Sequence, residues 1–131
     1  MASSLFDLTG RVALVTGGSR GLGVTMATAL AEAGADIVIT STKQNEIDAS
    51  ARRIADATGR RVVGYAGDVT SESSCTEIIE RVESDFGRLD VLVNNAGINL
   101  RGSIDEFPLA DFERSLSVNV TGTWLMCRAA K

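Results

Sequence analysis

The part of this chain best suited to chemistry is a run of glycines, Thr16-Gly17-Gly18-Ser19-Arg20-Gly21-Leu22-Gly23, set directly behind the apolar run Val12-Ala13-Leu14-Val15. Glycines at a strand-to-helix turn let the backbone bend sharply and approach a pyrophosphate, while the amides opening the helix offer donors and partial positive charge. The run therefore reads as a phosphate-binding turn. Gly17, Gly21 and Gly23 are spaced G-x-x-x-G-x-G, unlike G-x-G-x-x-G and unlike a Walker loop ending in Gly-Lys-Ser/Thr, so nucleoside triphosphate hydrolysis is disfavoured. Other polar groups gather where later apolar runs end: Ser41-Thr42-Lys43, Asp68-Val69 and Asn94-Asn95-Ala96-Gly97. The chain has no histidine, which removes a histidine-based triad, a histidine-ligated zinc and a histidine general base. Cys75 and Cys127 lie too far apart for a metal or redox motif; no metal site is expected, and both read as buried thiols.

These groups need a scaffold, and the pattern of apolar residues supplies one. Val12–Val15, Ile37–Ile39, Val62–Val63 and Val91–Val93 have the look of strands buried on both faces. Helical spacing fills the gaps. Cys75, Ile78, Ile79, Val82 and Phe86 share one helix face, with Thr70 or Ser71 to cap its start and Gly87 its end. Leu22, Met26, Ala29, Leu30 and Ala33 predict a second face closed by Gly34, and Ile47, Ala51, Ile54 and Ala55 a third closed by Gly59. After a loop from Ile98 to Pro108 comes an amphipathic stretch carrying Phe112, Leu116, Val120, Trp124 and Leu125. Alternating strands and helices predict an α/β domain over residues 1–131, a Rossmann-like parallel sheet flanked by helices.

The bulk composition excludes several partners. With 13 basic and 17 acidic residues the net charge is −4, so no basic field exists for nucleic acid or an anionic membrane. The first ten residues lack the charged and apolar regions of a secretory leader, and no run reaches membrane-spanning length. A cytoplasmic or otherwise intracellular location is expected.

The spacing Thr-Gly-x-x-x-Gly-x-Gly resembles the cofactor motif of the short-chain dehydrogenases/reductases, and the likeness continues along the chain. Asp68-Val69 stands where that family has an acid contacting the adenine, and Asn94-Asn95-Ala96-Gly97 where it has a signature beside the cofactor. Val118-Asn119-Val120 matches the helix asparagine of its catalytic tetrad. The resemblance implies a first half-sheet of order 3-2-1-4 and a nicotinamide dinucleotide held by Gly17, Ser19, Arg20, Gly21, Leu22, Gly23, Ser41, Thr42, Lys43, Asp68, Val69, Asn95, Ala96, Gly97 and Val118. Asn119 is the one catalytic residue it carries over. Read without it, Asp68 serves as a helix-opening acid, Asn94 and Asn95 as turn formers, and Asn119 as a polar kink.

In dinucleotide folds an acid ending the second strand bonds the ribose 2′-hydroxyl of NAD and repels the 2′-phosphate of NADP. Here Ser41 takes that place, with Arg20 and Lys43 near it, so NADP(H) is favoured and NAD(H) remains open. The family interconverts alcohols and carbonyls by hydride transfer, with a serine and a Tyr-x-x-x-Lys pair beyond the tetrad asparagine. The only tyrosine, Tyr65, has Val69 at the fourth position after it. The expectation is therefore the cofactor-binding front part of such an oxidoreductase, homo-oligomeric in its complete form and inactive as this chain alone. A noncatalytic nucleotide-binding module acting with a partner is the alternative. The fourth strand would be an apolar sheet edge that needs covering.

Overall fold

The computed structural model describes residues 4–131. After a short 3-10 turn at Ser4–Phe6 the chain alternates β1 (Val12–Thr16), α1 (Gly21–Glu32), β2 (Asp36–Ser41), α2 (Gln44–Thr58), β3 (Val62–Ala66), α3 (Glu72–Phe86) and β4 (Val91–Val93). It then runs through α4 (Leu109–Leu116), a π-helical turn (Ser117–Thr121) and α5 (Gly122–Ala129). All strand pairs are parallel, in the order β3-β2-β1-β4. This is the predicted half-sheet.

Strand alternation sends side chains to two cores. Leu14, Val38 and Tyr65 meet Cys75, Ile78, Ile79 and Val82 of α3 and Leu125 and Met126 of α5. On the other face Ala13, Val15, Ile37 and Ile39 meet Ala27 and Ala31 of α1 and Ile47, Ala51 and Ile54 of α2. Full burial of one such aliphatic side chain stabilises by about 1.5–3 kcal/mol, so β1, buried at every position, anchors the sheet. The outer strands differ from expectation: Val62 and Val63 of β3 and all of β4 are only half-buried, because each pairs on one side alone.

The termini of α2 and α3 follow the sequence. Gly59 and Gly87 adopt left-handed φ values of 69° and 77° as C-caps, and Ser71, not Thr70, caps α3 by accepting from the Ser74 amide at 3.3 Å. The face of α1 requires correction. Its buried residues are Gly23, Ala27 and Ala31, while Leu22 is 73% exposed and Ala29 is also exposed. Small residues let this helix approach the sheet closely, which the large ones could not. Along the last two helices Leu125 is buried, while Phe112, Leu116, Val120 and Trp124 form an outward stripe, with Trp124 57% exposed. Cys75 is buried as expected, and burial pushes its thiol up. Cys127 is instead exposed, its sulfur 3.3 Å from Asn94 Nδ2. Among the described residues no helix is long and apolar enough to cross a membrane.

Asp90, at the entry to β4, ties the sheet to its flank. Its carboxylate takes a bidentate pair from Arg88 (Nε 2.8 Å, Nη2 2.6 Å), the Val12 amide at 2.8 Å and Arg11 at 3.2 Å. The Arg88 bonds first, then the Val12 amide, hold this carboxyl well below the ordinary carboxylate range. A carboxyl depressed in the fold stabilises above its unfolded pKa of about 3.9 and loses that contribution as pH falls toward the folded value. Asp90→Asn is therefore expected to lower the melting temperature at pH 7. Melting curves across pH should show the gap to the native chain closing below about pH 4; a gap that stays constant would show that charge is not the cause.

Candidate functional site

The C-terminal ends of the four parallel strands open onto one cleft of about 1000 Å³. It lies where neighbouring connections leave β1 and β4, the switch point at which open α/β sheets bind ligands.

The glycine turn forms one wall. Gly17 and Gly21 have φ values of 65° and 58°, and the Gly18 amide donates to Thr40 O at 3.0 Å, fastening the turn to β2. A β-carbon on Gly17 would stand 2.9 Å from Ala96 Cα, and one on Gly23 only 2.1 Å from Gly17 O. Arg20, extended at φ −160°, precedes α1 as its N-cap and makes no side-chain cap bond to the first amides at the cleft. From α2, the buried Ser50 donates to Ser19 O at 2.7 Å and holds the turn from behind.

Opposite stands the loop after β4. The Asn95 and Ala96 amides donate to Thr16 Oγ1 at 3.1 and 3.0 Å, and Asn95 Nδ2 donates to Thr16 O and Gly17 O at 3.2 and 3.1 Å. Asn95 thus clamps the two walls together. The third wall carries Asp68, whose Oδ1 accepts from the Thr70 amide and hydroxyl at 2.9 and 2.7 Å. This acid closes the turn that opens α3, and it also lines the cleft.

Of the residues the sequence proposes for a dinucleotide, Gly17, Ser19, Arg20, Gly21, Leu22, Ser41, Thr42, Lys43, Asp68, Val69, Asn95, Ala96, Gly97 and Val118 all line this cleft. Gly23 does not line it; it packs beneath the turn. Asn119 also stands behind the wall. Its Oδ1 accepts from the Ile98 amide at 2.8 Å and its Nδ2 donates to Ile98 O at 2.9 Å, a two-point grip on the loop. The asparagine sits in the π-helical turn, an irregularity often found at functional sites.

The cations are not equivalent. Lys43 Nζ pairs with Glu46 at 3.2 Å on the surface, whereas Arg20 has no carboxylate partner among the described residues. Tyr65 lies away from the cleft under Arg81, its hydroxyl bonded to Asp85, and burial with that bond pushes it up to about 12. That direction is opposite to what proton transfer near neutral pH needs.

Sequence reasoning missed Thr40 and Ser50, and Arg114, which reaches the cleft from α4. It also left Thr16 out of the site. Hydroxyls inside strands and helices carry no local signal of their distant partners.

A parallel half-sheet with this glycine turn at its switch point has the architecture of the Rossmann-like α/β class. A family model described as short chain dehydrogenase matches residues 11–131, and the chain belongs to that family. It is 37% identical over 125 residues to gluconate 5-dehydrogenase of Gluconobacter oxydans, covering 95% of this chain and 48% of that protein. A solved gluconate 5-dehydrogenase of Burkholderia cenocepacia in complex with NADP and tartrate superposes with a TM-score of 0.88 at 38% identity, over 95% of this chain and 49% of that one. The Pseudomonas aeruginosa RhlG/NADP active-site complex gives a TM-score of 0.92 at 32% identity, over 98% of this chain and 50% of that one. The chain spans about half the length of the curated relatives it matches.

Proposed function

We propose that residues 1–131 form the dinucleotide-binding domain of an NAD(P)-dependent oxidoreductase that interconverts an alcohol and a carbonyl. The observation that carries this is the convergence of the proposed cofactor residues, all except Gly23, on one cleft at the switch point. The residues fit a dinucleotide: the Gly17–Leu22 turn, the end of β2, Asp68-Val69 and the Asn95–Gly97 loop line one continuous cleft, and a β-carbon at Gly21 would meet nothing within 4 Å. When bound, the nicotinamide supplies the hydride chemistry. The chain's own residues bind and orient. Gly17, Ser19, Gly21 and Leu22 offer backbone to the pyrophosphate, Gly23 lets α1 pack close beneath them, and Asp68 and Val69 border the adenine. Asn95, Ala96, Gly97 and Val118 form the wall toward the reacting end, and Asn119 positions that wall through Ile98.

NADP(H) is the preferred form, with NAD(H) as the alternative. Ser41 presents no carboxylate to a 2′-phosphate, Arg20 lines the same cleft as a cation with no carboxylate partner among the described residues, and two solved relatives hold NADP. Lys43 contributes less, because Glu46 already answers its charge. In the complete protein the outward stripe of Phe112, Leu116, Val120 and Trp124 meets a second copy of the chain, and the location is cytoplasmic.

Calorimetric titration of the 131-residue chain tests the reading. NADPH is expected to bind weakly but saturably, more tightly than NADH. NADPH consumption with carbonyl substrates is expected to stay at background, because no Tyr-x-x-x-Lys pair occurs in these residues to move the proton. Failure of both nucleotides to bind would overturn the proposal, as would reproducible turnover its account of the missing acid/base.

A further inference from the structure

Thr40, near the end of β2, is 1% exposed, and it lines the cleft. Its backbone is engaged, its carbonyl accepting from the Gly18 amide at 3.0 Å and its strand position lying in register with Thr16 on one side and Tyr65 on the other. Its hydroxyl is not. Oγ1 has no hydrogen-bond partner among the described residues, whereas the hydroxyl of Thr16 beside it serves Asn95, Ala96 and Val93. A buried hydroxyl without a partner disfavours the fold, and valine has the same shape and an equal liking for strands. The fold alone therefore gives no reason for threonine here.

Resting on the dinucleotide reading above, we infer that Thr40 is a binding residue of the cleft whose hydroxyl hydrogen-bonds the adenosine portion of the bound dinucleotide, directly or through one ordered water. Its place selects that portion. Thr40 lies on β2, next to Ser41 and beside the β3 end that leads to Asp68, while the Asn95–Gly97 wall stands across β1. A hydroxyl can donate and accept at once, and ribose and adenine present both kinds of partner.

Thr40→Val and Thr40→Ser in the full chain test this, with thermal melting of the free protein and titration by NADPH and by adenosine 2′,5′-bisphosphate. For Thr40→Val the free protein is expected to melt a few degrees higher, about 2–5 °C. Both nucleotides should bind it about three- to tenfold more weakly, the loss of one hydrogen bond. Thr40→Ser should stay within about twofold of the native affinity. Unchanged affinity in Thr40→Val, while the native chain binds, overturns this inference and leaves the dinucleotide reading standing. A lower melting point for free Thr40→Val assigns the hydroxyl to the fold and overturns it as well. Weakening toward NADPH but not the bisphosphate removes it from the adenosine portion. A native chain that binds neither nucleotide overturns both readings.

Discussion

Gly23→Ala is expected to abolish dinucleotide binding and to lower stability by about 1–3 kcal/mol, the range for overpacking a closed site. Backbone conformation is not the reason, since Gly23 sits inside α1 without a positive φ. Helix propensity alone would favour alanine by about 1 kcal/mol. The overlap decides the sign: the new β-carbon would stand 2.1 Å from Gly17 O, 2.9 Å from Gly17 C and 2.8 Å from Asn95 Nδ2. Two of those atoms are backbone and the third belongs to the clamp between the cleft walls, so none can swing aside. Either α1 lifts off the sheet or the turn moves, and both displace the amides offered to the pyrophosphate. Gly21→Ala is the informative companion. Its β-carbon meets nothing within 4 Å, so it should lose only the left-handed backbone preference, about 1–2 kcal/mol. Urea unfolding with NADPH titration separates the two, and a Gly23→Ala chain that binds normally would refute the close packing of helix on turn.

The contrast between these glycines shows what the sequence can and cannot disclose. The strands and the cleft were legible because both rest on local signals: apolar runs of strand length, glycines directly behind one of them, and polar residues at each strand end; the strand order was implied only by the family resemblance. The face of α1 was not. Leu22, Met26 and Leu30 are large and helically spaced, so periodicity selects them, yet the helix seats itself by its smallest residues, Gly23, Ala27 and Ala31. Close approach of the helix axis to the sheet leaves Leu30 only partly buried at the edge of the core and Met26 half-buried, and Leu22 goes to the cleft instead. The final helix repeats the lesson. Phe112, Leu116, Val120 and Trp124 follow one another every four residues, which says that they share a face and not that the face meets the sheet. Leu125 and Met126, with Val118 partly buried, take the inner position. Ser50 interrupts the apolar face of α2 and reads as a flaw in it until its partner, the Ser19 carbonyl, is seen 31 residues away.

Thr16 carries the second large effect. Thr16→Val keeps the shape of a side chain that is 1% exposed but removes the oxygen that accepts from the Asn95 and Ala96 amides at 3.1 and 3.0 Å. The Asn95 amide keeps a second acceptor, Val93 O at 3.1 Å, but the Ala96 amide is left without one, so a loss of about 1–3 kcal/mol is expected, a sizeable share of a small domain's stability. Thr16→Ser keeps the oxygen and gives up one methyl, about 1 kcal/mol. Equilibrium unfolding of the three chains measures the difference directly, and a valine variant as stable as the serine one would show that the amides find other acceptors. The Asn95 side-chain bonds to Thr16 O and Gly17 O do not involve the lost hydroxyl, so the loop should loosen rather than detach. NADPH affinity is then expected to fall in the valine chain by more than in the serine chain. The oxygen that stabilises the junction of β1 and β4 also sets the separation of the cleft walls, and for this residue stability and binding should decline together.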